Sequence, residues 1–153
     1  MDEELKREVI MENYLHPFNK EVPSDVTGYI KVNSNNESCI DNIDIYLKID
    51  NDIIKDIKFM GEACAISTSA TSIMIKELLN KDIMSVQDII NNYSNMINEG
   101  TYDSNLLGEA IVYNEIYKQQ NRKHCAMLPW IGIKEAIEKY KNIQNWIFVY
   151  FFA

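Results

Sequence analysis

The sequence predicts an α+β fold: a three-stranded antiparallel sheet between one N-terminal helix and a run of later helices. Three observations predict it. Ile43, Ile45, Leu47 and Ile49 alternate with Asp44, Tyr46, Lys48 and Asp50, the period of a half-buried strand. Asp50-Asn51-Asp52 supplies turn residues, and the chain returns over 53–60 with Ile57 and Phe59 alternating. Outside this hairpin, apolar residues recur at three- and four-residue steps, which is helical spacing.

The elements follow in order. Leu5, Val9, Tyr14 and Leu15, with Ile10 and Met11 beside them, predict a helix over 3–15 that Pro17 ends. A turn-rich link with Pro23 follows. Residues 27–33 read as a strand, with Ile30 and Val32 on one face, and 33–37 as a polar loop. This strand joins the hairpin in a meander. Gly61 punctuates its end. Ile66, Ala70, Ile73, Met74 and Leu78 mark one side of a helix over 64–80. Helices are further expected over 85–98, 104–119 and 126–142, with breaks at 98–103 and 119–122. No internal repeat or linker divides residues 1–153, so one domain is expected.

Bulk properties narrow the function. The chain is 46% hydrophobic and 25% charged, ordinary for a soluble globular protein. Its net charge of -8 argues against a nucleic-acid partner, which requires a basic face. The acidic start lacks the apolar core of a signal peptide, so a cytoplasmic location is expected. The one long apolar run, 146–153, is shorter than the about 20 residues that span a bilayer. It is expected to pack on the protein or to form an oligomer interface, without membrane contact.

The chemistry rests on three cysteines, an odd number that favours free thiols or metal ligands over disulfides. Cys39 and Asp41 are two apart, so an extended segment projects both to one face. Cys64 is expected at a helix N-terminus, facing the positive end of the dipole. A small buried core residue is the plainer reading of it. Cys125 is expected just before a helix that accommodates Pro129 in its first turn. Arg122, Lys123 and His124 beside it form the most basic stretch of an acidic chain. His124 is a ligand, a proton carrier or a surface residue. His16, at a helix end next to Pro17, reads as structural. Three thiolates with one oxygen or nitrogen complete a tetrahedral zinc shell or partly cage an iron–sulfur cluster. Spacing leaves metal and reaction open.

Four segments in order resemble the U-type iron–sulfur assembly proteins, the family called IscU, NifU-like or SufU. They are Arg7 to Tyr14 with Pro17 and Asn19; Cys39-x-Asp41 before a hairpin; Lys58 to Ser67 around Cys64; and His124-Cys125-Ala126-Met127-Leu128-Pro129-Trp130. The long interval from Cys64 to Cys125 looks like the SufU branch, whereas His before the last cysteine matches the IscU branch. The family's usual glycines before Asp41 and Cys64 are Ile40 and Ala63 here.

The resemblance implies a SufE/NifU-like fold. It implies that Cys39, Asp41, Cys64 and Cys125 bind zinc, iron or a nascent [2Fe–2S] cluster, with His124 as an alternative ligand. It further implies a cysteine desulfurase as sulfur donor, with Cys39 as first acceptor and Cys125 as the alternative. The activity is then a zinc-dependent sulfurtransferase. The other reading is a scaffold that passes a [2Fe–2S] cluster to acceptor apo-proteins or downstream assembly proteins. A monomer or weak homo-oligomer is expected.

Overall fold

The computed structural model describes residues 1–152. Helix α1 spans Glu3–Leu15. Strands β1 (Ile30–Asn35), β2 (Asn42–Asp50) and β3 (Ile53–Glu62) follow, then α2 (Ala65–Leu78) and α3 (Ile83–Ile97). Three short 3₁₀ turns, Ser104–Leu106, Gly108–Tyr113 and Ile116–Lys118, lead to α4 (Gln120–Phe152). The sheet is an antiparallel meander in the order β1-β2-β3. Asn51 and Asp52 both have positive φ, the type I′ geometry that suits the twist of a two-residue hairpin.

The alternating residues bury one face. Ile43, Ile45, Leu47, Ile57 and Phe59 are fully buried, together with Ile73, Met74, Trp130 and Ile133 from the helices. Helix α4 lies against β1 and β2, and α2 lies among α1, α4 and β3.

Strand β1 starts and ends later than expected. Val26 accepts from the Tyr29 N–H and Asp25 from the Thr27 N–H, which folds the expected first residues into a turn. At the other end Asn33 donates to Asn42 and Asp44, so polar side chains extend the ladder to Asn35. Helix α2 is buried nearly all round, beyond the single expected stripe. Its hydroxyls permit this because each finds a partner. Ser69 meets the Tyr113 hydroxyl at 2.6 Å, Thr71 donates to the Ser67 carbonyl, and Ser72 donates to Asn13.

Helix α1 departs in the opposite sense. Lys6 and Asn13 turn inward, while Leu5, Met11, Tyr14 and Leu15 are exposed. His16 caps its C-terminus through a backbone bond to Glu12.

The expected helix over 104–119 is instead three 3₁₀ turns. Buried Leu107, Ala110, Tyr113 and Ile116 recur every three residues, the 3₁₀ period. Gly108 has φ +51, which a continuous α-helix cannot contain, and the Glu109 N–H donates to the Glu77 carboxylate.

Of the expected break at 119–122 only Gln119 lies between elements; residues 120–122 open the first turn of α4, which runs unbroken past Pro129. That segment has polar residues but neither Gly nor Pro, and polarity alone does not stop a helix. Cys125 therefore lies within the helix and not ahead of it. The apolar segment over 146–152 does not pack on the body. It continues α4 outward, with Trp146, Phe148, Val149, Tyr150, Phe151 and Phe152 exposed. Ala153 lies outside the described residues. No helix among the described residues is long and apolar enough to cross a membrane.

Gly61 sets the approach of β3 to the site. Its φ is +141, and a Cβ there would lie 2.2 Å from the Asn42 carbonyl oxygen. Gly61→Ala is expected to destabilise the fold by about 1–3 kcal/mol, the scale of a strained backbone position. Urea unfolding checks this; an unchanged midpoint would show that the strand end relaxes freely.

Candidate metal centre

The loop between β1 and β2 carries Cys39 and Asp41. Asn36 closes it: its backbone N–H donates to the Asp41 carbonyl, its carbonyl accepts from the Cys39 N–H, and its side chain accepts from Ser38. Ile40 is exposed, and neither it nor Ala63 takes a positive φ. The loops on both sides of the site thus hold their shape without the family's glycines.

Cys64 is the N-cap of α2, and its sulfur accepts from the Ser67 N–H at 3.4 Å. Capping by a side-chain acceptor satisfies one of the helix's unpaired donors. The Cys64 N–H donates to Asp41 Oδ1 at 2.7 Å, which fixes the β1–β2 loop to the start of α2. Cys125 enters from α4, where its thiol meets the Asn121 carbonyl at 3.6 Å. Its position in the second turn is set by burial of Ala126, Leu128 and Trp130 on the same helix.

These three segments bring one ligand atom each from Cys39, Asp41, Cys64 and Cys125 within 4.8 Å of one another. Cys39 is exposed, Cys64 half-buried, and Cys125 and Asp41 are buried. His124, the neighbouring exposed position on α4, is not among the four. His16 lies at the end of α1 and takes no part.

The electrostatics follow from burial and hydrogen bonding. Burial alone would raise the Asp41 carboxyl. Bonds from the Ser67 hydroxyl, the Cys64 N–H and the neighbouring thiols outweigh it and hold the group below the usual carboxylate value. Burial, and then the proximity of Cys64 and Asp41, push the Cys125 thiol well up. A cation placed among these groups would reverse that logic and favour the thiolate.

The donor set fits zinc. Zinc prefers thiolate, imidazole and carboxylate ligands in a tetrahedron, with Zn–S near 2.3 Å. Such bonds put ligand atoms roughly 3–4 Å apart. Asp41 Oδ2 and Cys64 Sγ are already 3.7 Å apart. The remaining contraction is small for side chains on an exposed loop and a helix cap.

Ser67 was not legible as a site residue. Its hydroxyl donates to Asp41 Oδ2 at 2.6 Å and lies 3.1 Å from the Cys125 carbonyl. That carbonyl lacks its helical partner because Pro129, four residues on, has no N–H. Two signals could have found it: the third residue after a capping cysteine, and a proline four after a cysteine.

An open groove adjoins the centre. Ile10 and Met11 of α1 line one side, Arg122 of α4 lies on its wall, and all three cysteines face into it.

Comparison with known proteins agrees with this geometry. Residues 5–146 match the model of the NifU-like N terminal domain. The chain is 35% identical to the zinc-dependent sulfurtransferase SufU of Bacillus subtilis (strain 168), over 88% of this chain and 90% of that protein. It is 33% identical to the iron-sulfur cluster assembly scaffold protein IscU of Streptococcus pyogenes serotype M1, over 77% and 75%. The crystal structure of a putative iron-sulfur cluster assembly scaffold protein for the SUF system from Fervidobacterium islandicum AW-1 superposes with a TM-score of 0.76 at 28% identity, covering 83% of this chain and 92% of that one. With its meander, packed helices and convergent cysteines, the chain belongs to the NifU-like N-terminal domain family, whose relatives include proteins named SufU and IscU.

Proposed function

We propose that the chain serves iron–sulfur cluster biogenesis by accepting sulfur from a cysteine desulfurase at a zinc site of Cys39, Asp41, Cys64 and Cys125. It is then a zinc-dependent sulfurtransferase. The convergence of three thiols and one carboxylate, with one thiol exposed on a loop, carries this reading. The likeness to the Bacillus protein of that name supports it. In this reading residues 1–153 act as one assembly domain in the cytoplasm, as a monomer or weak homo-oligomer.

When bound, zinc would supply positive charge that keeps the buried sulfurs ionised without exposing them. The chain's own residues do the rest. Cys39, exposed on its loop, presents a thiolate to the terminal sulfur of the donor's persulfide. A new S–S bond forms to Cys39 as the donor's S–S bond breaks, and the donor cysteine leaves as a thiolate. Arg122 stands in the groove where the anionic persulfide would enter. Exposed Met11 and Ile40 offer apolar contact to the donor protein around the thiols.

The name of the Streptococcus relative favours a second reading, in which a [2Fe–2S] cluster is cargo assembled on these residues and passed to acceptor apo-proteins. Metal content separates the two. Protein purified without oxygen is expected to carry about one zinc per chain. It should keep that zinc through desulfurase turnover with cysteine, while the desulfurase turns over faster in its presence. Iron and inorganic sulfide in place of zinc would favour the scaffold. Far less than one zinc or iron per chain would remove the metal site from both readings.

A further inference from the structure

We propose that Ser67 is the positioning residue that holds Asp41 in the metal shell and ties it to the helix carrying Cys125. This rests on the reading of Asp41 as a ligand. Ser67 is completely buried in the first turn of α2. It touches three of the four proposed ligand residues. Its hydroxyl lies 2.6 Å from Asp41 Oδ2, 3.1 Å from the Cys125 carbonyl and 3.5 Å from Cys64 Sγ, and its N–H donates to Cys64 Sγ.

A hydroxyl has one proton to give and two lone pairs with which to accept. The Asp41 carboxylate and the Cys125 carbonyl compete for that proton, and the shorter contact goes to the carboxylate. The carbonyl is available only because Pro129 withholds the helical N–H. Asp41 Oδ1 is already taken by the Cys64 N–H. Both carboxylate oxygens are therefore fixed from α2, which sets the plane of the group and the direction of its free lone pairs. Partners that orient a metal ligand in this way typically contribute 10- to 100-fold in metal affinity.

The test is Zn²⁺ affinity of the full-length apo-protein, measured by competition with a chromophoric chelator. Ser67→Ala should bind Zn²⁺ 10- to 100-fold more weakly. Introduced into Asp41→Ala, the same change should cost less than about threefold, because the group it acts through is gone. Ser67→Thr, which keeps the hydroxyl, should stay within about threefold of wild type. Should Ser67→Ala not fold, Ser67→Val, which matches Thr in shape and lacks only the hydroxyl, is read against Ser67→Thr in its place. An equal loss in both backgrounds, a Thr variant as weak as Ala, or wild-type affinity in Ser67→Ala overturns the proposal alone. Wild-type affinity in Asp41→Ala by itself overturns the ligand reading and this inference together.

Discussion

Cys39→Ser should abolish the rise in desulfurase turnover that the wild-type chain produces, while the two proteins still bind. The three thiols are not equivalent. Cys39 is exposed on a loop held at its base by Asn36. Cys64 is fixed by the Ser67 N–H and by its own N–H on Asp41. Cys125 is buried, with its thiol pushed well up by that burial. All three line the groove, but Cys39 is the most exposed and meets a sulfur presented from outside with the least rearrangement. A serine there keeps the loop's backbone bonds and removes the nucleophile. Stimulation should fall at least tenfold, to near the desulfurase's own rate, since a hydroxyl is a far weaker nucleophile than a thiolate. Binding should persist because Ile10, Met11, Ile40 and Arg122 are untouched. The measurement is sulfide or alanine release with and without the chain, beside a binding assay. Stimulation equal to wild type would move the acceptor role to Cys125 or leave the chain a scaffold.

How much of this was legible from sequence depends on the period of each segment. The β2–β3 hairpin was clear because Ile43 to Ile49 alternate strictly and Asn51-Asp52 can take positive φ. The three cysteines and Asp41 were legible by residue type, and the structure brings them together. Two helical readings failed for separate reasons. Leu107, Ala110, Tyr113 and Ile116 have period three, too close to 3.6 for a short window to separate, and Gly108 decides the matter. Gln119 does separate the last 3₁₀ turn from α4, but Gln120 to Arg122 looked like part of that break only because they are polar. Helix α1 was placed correctly but its faces were not. A hydrophobic count could not see that Lys6 is held by Glu3 and Glu115, or that Asn13 meets Ser72. Under the proposed function, the exposed apolar residues of α1 that result are a surface open to the desulfurase. Ser67 was hidden because its importance comes from Asp41 and Pro129, far apart in the chain.

Asp41→Ala should loosen the metal without unfolding the protein. Asp41 is the sole carboxylate among the four convergent residues and is almost fully buried. Removing it takes one donor from the shell, so zinc affinity should fall by roughly 100-fold or more, beyond the effect expected for an orienting partner. The fold should survive for a local reason. Alanine leaves the Cys64 N–H and the Ser67 hydroxyl without their acceptor, and a buried unpaired donor costs about 1–3 kcal/mol. The hydroxyl, however, can turn to the Cys125 carbonyl 3.1 Å away. The Cys64 N–H lies at a half-buried helix end open to the groove, where water can replace the carboxylate. The apo-protein should therefore lose no more than about 1–2 kcal/mol. Thermal unfolding of the apo form and zinc competition of the loaded form separate the two effects. Sulfur transfer from the desulfurase should change as well, because Asp41 and Cys39 share one loop. Wild-type zinc affinity would show that Asp41 is no ligand, and a wild-type transfer rate beside it would show that transfer does not need the carboxylate. The fourth position would then fall to His124, one residue from Cys125 on α4.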